Sequence, residues 1–351
     1  MASPGAPQMT VHSAAKARTG RKNMNSITRL GFALLATAGS LGAVSAVQAQ
    51  DMKHVAISTI VEVPALLDTK RGIIEGLADA GFVDGENITI DYQNANGNMP
   101  TQQQIAKKFI GDDPAVIIPI TTPTSQAIIG ATDTIPVVFA TVTDPIKASL
   151  IPQYKQPGGN VTGVSDAAPI KQQMDLFQEI LPDMKTIGFI YNPGLDNALA
   201  TLGWIKEEAE ARGITVVESP SPTTNEVVLA TQKLIGEVDA IYVPNDTTIV
   251  AALEAIVKIA QDTDTPVFAG ETGAVERGVI GSVGLDYVGI GRIAGEMAAR
   301  ILNGENPGEI DAVIGYEVLT DFNVLINLDA AAEMGVTVPQ SVIDRATSVI
   351  E

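Results

Sequence analysis

From residue 54 onward, short apolar runs alternate with longer stretches whose apolar residues recur every three or four positions. Runs of the first kind read as buried strands, and stretches of the second kind as amphipathic helices. Residues 54–58 (HVAIS) read as a strand. Residues 64–82 read as a helix with Leu66, Leu67, Ile73, Ile74, Leu77 and Ala78 on one face. Pro64 suits its first turn and Gly81 its end. A strand over 87–92, a helix over 101–110, a strand over 115–120, a short helix over 123–131 and a strand over 135–140 follow. Then the pattern breaks. Residues 141–166 (TVTDPIKASLIPQYKQPGGNVTGVSD) are rich in Pro and Gly and have little period of their own.

Beyond the break the alternation resumes. Helices are expected over 170–181, 197–212, 225–235, 247–261 and 288–302. Strands are expected over 186–191, 214–218, 240–243, 265–269 and 279–283. The tail carries short strands at 316–319 and 324–326 and a helix over 328–334. Apolar strands separated by amphipathic helices imply parallel sheets covered on both faces. The fold class expected is α/β, with two doubly wound parallel-sheet lobes joined by a multi-strand hinge. A first crossing at 161–163 and later ones near 283–286 and 307–311 make the lobes discontinuous. One comprises 50–163 plus 285–308, the other 164–284 plus 309–351. Thr143, Asp144, Ser165 and Asp166 are expected to face the gap between them.

In such sheets ligands sit beyond the C-terminal ends of the strands. Those turns are polar here, and six carry a carboxylate: Glu62, Asp144, Asp196, Asp246, Glu271 and Asp286. Thr122, Asp246 and Asp286 are also good helix caps, so capping competes with ligand contact at each. Carboxylates favour a cationic group on the ligand, and helix N-termini at the same turns favour an anionic one. A zwitterion needs both.

Composition narrows the chemistry. The 351 residues are 45% hydrophobic and 18% charged, with a net charge of −19. Phosphate backbones are repelled by that charge, and aromatics for base stacking are only 4%, so no nucleic-acid partner is expected. There is no cysteine, hence no disulfide and no thiol nucleophile. His54 is the sole histidine after residue 49, which argues against a Ser-His-Asp system. No P-loop signature occurs, and the Gly289–Gly291–Gly295 spacing reads as helix packing rather than dinucleotide binding. No cofactor and no metal are expected.

Residues 1–49 contain five basic and no acidic residues, an apolar run over 30–47, and Val47-Gln48-Ala49 at its end. This reads as a signal peptide cleaved after Ala49, with Met24 as an alternative start. Export to the periplasm follows, and cleavage deepens the charge from −19 to −24.

Seven segments in order resemble the substrate-binding proteins of ABC transporters in the tryptophan/tyrosine group. They are VEVPAL (61–66), GENITIDYQNANG (85–97), VFATVTDP (138–145), PGGNVTGVSD (157–166), TIGFIYN (186–192), DAIYVPND (239–246) and LDYVGIGR (285–292). The resemblance implies a type I periplasmic-binding fold and a monomeric receptor. That receptor closes on an amino acid and delivers it to a membrane permease, its only link to the membrane. The family's cleft positions fall on Glu62, Thr122, Thr143, Asp144, Ser165, Asn192, Asn197, Asp246, Glu271 and Asp286. Leu195 and Ala198 stand where the family often has Glu and Ser. Two competing readings are an exported carboxylate-dependent hydrolase and the ligand-sensing domain of a regulator.

Overall fold

The structure is a computed structural model and describes residues 52–319 and 321–351. The expected signal peptide lies outside them. The first run of elements is β1 (Lys53–Thr59), α1 (Pro64–Asp79), β2 (Ile88–Asn94), α2 (Met99–Asp112), β3 (Val116–Ile120), α3 (Thr122–Ile129), β4 (Val137–Ala140) and β5 (Val161–Ser165). The second is α4 (Ile170–Ile180), β6 (Thr186–Tyr191), α5 (Asp196–Ala211), β7 (Thr215–Pro220), α6 (Val227–Leu234), β8 (Ala240–Val243), α7 (Thr247–Val250), α8 (Leu253–Asp262), β9 (Val267–Ala269) and β10 (Gly281–Gly284). The tail adds α9 (Tyr287–Leu302), β11 (Val313–Ile314), α10 (Gly315–Val318), β12 (Asn323–Asn327), α11 (Leu328–Glu333), α12 (Gln340–Arg345) and β13 (Ser348–Ile350).

These elements build two sheets, ordered β11-β5-β4-β3-β1-β2 and β13-β12-β10-β9-β8-β6-β7. Every pairing in the first is parallel, and in the second only β10 with β12 is antiparallel. The reason for the apolar runs is visible in β1. Val55 and Ile57 join the core on one face, while Ala56 between them joins the core on the other. A strand covered on both faces has no polar side to show.

Helix α9 returns from the second sheet and packs against α1 of the first. Glycines make the approach close. A Cβ on Gly291 would run into the Thr69 carbonyl oxygen, and one on Gly72 into that of Val288. Gly76 and Gly295 extend the same seam, and Arg292 ion-pairs with Glu75 and Asp79 alongside it. The seam fixes two helix N-termini side by side at one edge of the lobe.

The elements depart from expectation in several places, and β11, α12 and β13 were not expected. The helix expected over 247–261 is broken at Ala251–Ala252 into α7 and α8, and 316–318 of the strand expected over 316–319 is helical within α10. The sheets also do not follow the expected lobe limits. β5 runs on to Ser165, and β11 pairs with it. Residues 309–314 therefore lie with the first sheet, tied there by Thr162 Oγ1 donating to the Ile310 carbonyl (2.8 Å). Among the described residues no helix is long and apolar enough to cross a membrane.

Candidate functional site

The C-terminal strand ends of both sheets face a common cavity, the place where open α/β sheets bind their ligands. The first lobe supplies Thr121 and Thr122 after β3, Thr141 and Thr143 after β4, and Val63, Ala65 and Leu66 from the start of α1. Tyr287 comes from the start of α9 and Asp166 from the segment leaving β5. The second lobe supplies Asn197 of α5, Asn245, Thr247 and Val250 around α7, and Glu271 after β9. No Lys, Arg or His is among the lining residues.

Two carboxyl groups therefore face the cavity without a basic side chain in its wall. Asp166 accepts hydrogen bonds from Thr143 Oγ1 (3.2 Å), Asn245 Nδ2 (3.3 Å) and the Tyr287 hydroxyl (3.5 Å). Burial pushes its pKa up to about 6 against those donors. Glu271 is 4% exposed, and its Oε2 accepts the Gly273 N–H (2.8 Å). Burial, the larger effect, pushes it up to about 7, and the nearby Asp166 charge adds to this. Its other oxygen has no partner.

That oxygen is not alone. Glu271 Oε1, Asn197 Oδ1, Asn245 Oδ1 and Thr122 Oγ1 are all buried and unpartnered, and all four residues line the cavity. Unpaired buried polar atoms cost ~1–3 kcal/mol each, so four at one site mark unused binding capacity. Three of them are acceptors.

The opposite wall offers the other polarity. α1 and α3 both begin at the cavity, and their N-termini carry partial positive charge. The turn into α3 is strained: Thr121 has φ 87° and ψ 156°, a region that L residues rarely enter. Its surroundings hold it there. The Thr121 N–H donates to the Ala140 carbonyl, its hydroxyl pairs with Thr124, and its carbonyl accepts from Ser125 N and Oγ. Thr141, at the end of β4, also has positive φ, 52°.

Of the residues expected at the site, Thr122, Thr143, Asn197 and Glu271 line the cavity, and so does Asp166. Six others face elsewhere. Asp246 is fully buried as the cap of α7, its carboxylate accepting N–H groups of Asn192 (2.6 Å), Thr248 (2.8 Å) and Ile249 (3.3 Å). Asp286 caps α9 through the Val288 N–H, and Asp144 takes the N–H groups of Ile146 and Lys147. Ser165 Oγ lies behind the wall, donating to the Thr143 carbonyl and accepting from Ala167 N. Asn192 donates to Thr248 Oγ1 beside a neighbouring groove, and exposed Glu62 accepts from the Tyr92 hydroxyl. Sequence reasoning missed Asn245 and Tyr287. Each adjoins a carboxylate that was chosen instead.

The lobes meet across the cavity. Gln126 of α3 donates to Asp196 of α5 (2.7 Å), and Asn245 Nδ2 donates to the Tyr287 hydroxyl (3.0 Å). Two doubly wound lobes, shut on a cavity between their strand ends and joined by several crossings, define a two-lobed solute receptor of the type I periplasmic-binding fold. The chain belongs to the ABC transporter substrate binding protein family, which matches residues 54–350. It is 38% identical over 277 residues to the tyrosine-binding protein of Clostridioides difficile (strain R20291), covering 79% of each chain. Among solved structures, it resembles the ABC domain in complex with L-Trp from Streptococcus pneumonia. There the TM-score is 0.81 at 33% identity, over 85% of this chain and 100% of that one. It also resembles the ligand-free, open form of a substrate binding protein with adhesive properties from Clostridium difficile. In that case the TM-score is 0.66 at 36% identity, over 86% and 99%. The higher score against the ligand-holding structure, at slightly lower identity, agrees with the contacts between the lobes.

Proposed function

We propose that this protein is an exported, monomeric, non-catalytic receptor that closes on a zwitterionic aromatic amino acid and presents it to an ABC permease. The carrying observation is the set of unpartnered acceptors, Glu271 Oε1, Asn197 Oδ1 and Asn245 Oδ1, in a cavity without basic side chains. In this reading they receive the ligand ammonium, and the N-termini of α1 and α3 face its carboxylate. Val63, Leu66, Val250 and the Tyr287 ring offer apolar wall to the side chain. The relatives that bind tyrosine and hold L-Trp support the aromatic choice.

Calorimetric titration with L-tyrosine, L-tryptophan and the matching amines and acids lacking one charge tests this. One-to-one binding of the zwitterions, with much weaker binding of both truncated forms, is expected. Equal binding of the amino acid and its deaminated acid would overturn the ammonium assignment. No binding by any amino acid would overturn the receptor reading.

A further inference from the structure

We propose that Asn245 is a positioning residue: one end of its amide reads the ligand while the other holds the lobes shut. The proposal rests on the receptor reading above and adds to it how occupancy becomes closure.

Its backbone is fixed in the second lobe. Asp246 ties the loop to the N–H groups of Asn192, Thr248 and Ile249, and the Asn245 carbonyl accepts from Asn197 Nδ2 (2.7 Å). Its side chain leaves that lobe. Nδ2 donates to the Tyr287 hydroxyl (3.0 Å) and to Asp166 Oδ2 (3.3 Å). Tyr287 starts α9, which the glycine seam binds to α1, and Asp166 follows β5 and is held by Thr143 (3.2 Å). Both acceptors move with the first lobe, so opening the cleft breaks both bonds.

The amide oxygen is the unpartnered end. It is buried beside Gly270, where a Cβ would come within 2.8 Å of it. Gly270 is itself fixed, because Gln173 Nε2 donates to its carbonyl (3.0 Å) and Gln173 Oε1 accepts from the Tyr242 hydroxyl (2.7 Å). A ligand N–H reaching Asn245 Oδ1 polarises the planar amide and strengthens both of its N–H donors. Ligand contact and closure thus share one conjugated group.

The chain has no cysteine, so Lys107→Cys on α2 and Glu210→Cys on α5, both exposed, give a unique spin-label pair across the cleft. In that background, L-tyrosine is expected to drive the wild-type pair to a single short distance. Asn245→Ala is expected to release L-tyrosine at least tenfold faster while its association rate changes less than twofold. A long-distance population is expected to persist at saturation. Asn245→Asp, which sets a second carboxylate against Asp166, is expected to stay open more completely. Should Asn245→Ala fail to fold, Tyr287→Phe carries the test, with an intermediate release rate expected. Full closure and wild-type release in Asn245→Ala, or in Tyr287→Phe where that stands in, would overturn the proposal. A wild-type protein that neither binds nor closes with L-tyrosine or L-tryptophan would overturn the receptor reading itself.

Discussion

Replacing Glu271 by Gln should move ligand-free stability and ligand affinity in opposite directions. In the empty cavity the carboxyl is buried, with one oxygen on Gly273 and the other bare. Burial raises its pKa from 4.5 to about 7. Between those values the folded protein holds a proton that the unfolded chain has released, so stability falls as pH rises through that window. At ~1.4 kcal/mol per tenfold, the ionised form costs the fold up to about 3 kcal/mol at pH 8. Gln does not ionise and escapes that cost. Glu271→Gln is therefore expected to match wild type at pH 4.5 and to exceed it at pH 8. The ligand reverses the balance, because an ammonium neutralises the carboxylate. A hydrogen bond to a charged group is worth ~1.5–3 kcal/mol, so the variant should bind L-tyrosine about 10- to 150-fold more weakly at pH 8. Denaturant titrations of the ligand-free proteins at pH 4.5 and 8 read the first effect, and calorimetry at pH 8 reads the second. A variant that is no more stable than wild type at pH 8, or that binds as tightly, would refute the assignment of a bare, ligand-seeking carboxylate.

Gly291→Ala pushes a methyl group into the backbone of α1, where nothing can rotate aside. A loss of ~1–3 kcal/mol or more in chemical denaturation is expected, whereas Gly203→Ala in the interior of α5, whose Cβ would meet open space, should gain ~0.5–1 kcal/mol. Asp246→Ala removes the α7 cap and strands the Asn192 N–H. It should lower stability by about 1–2 kcal/mol, while the affinity of the folded fraction changes less than in Glu271→Gln. Asp196→Ala breaks the bridge to Gln126. It should cost about 1 kcal/mol of binding, seen as a severalfold faster release in stopped flow.

Most of the fold was legible because the central strands are covered on both faces and most helices on one. The exceptions have physical causes. The run TTIVAALEAIVKIAQ keeps helical period across Ala251–Ala252 and contains no Gly or Pro, so the break between α7 and α8 leaves no mark in the pattern. β11 and β13 are two and three residues long, too short for any period. β11 forms because the segment following α9 returns along β5, a tertiary event.

The site was legible as loops, and at several of them the wrong side chain was chosen. In Pro244-Asn245-Asp246-Thr247 the short carboxylate of Asp246 bends back to the N–H groups of its own helix, and Asn245 is left to face the cavity. The same shift of one residue occurs at Asp286 and Tyr287. Capping and ligand contact compete wherever the acid is Asp, because so short a side chain that bonds its own N2 and N3 cannot also reach outward. Glu271 escapes the competition through its extra methylene. One oxygen caps Thr272–Ala274 while the other stays bare in the cavity. At a strand end that opens a helix, the longer acid is thus the better candidate for ligand contact, and an Asp points to the residue beside it.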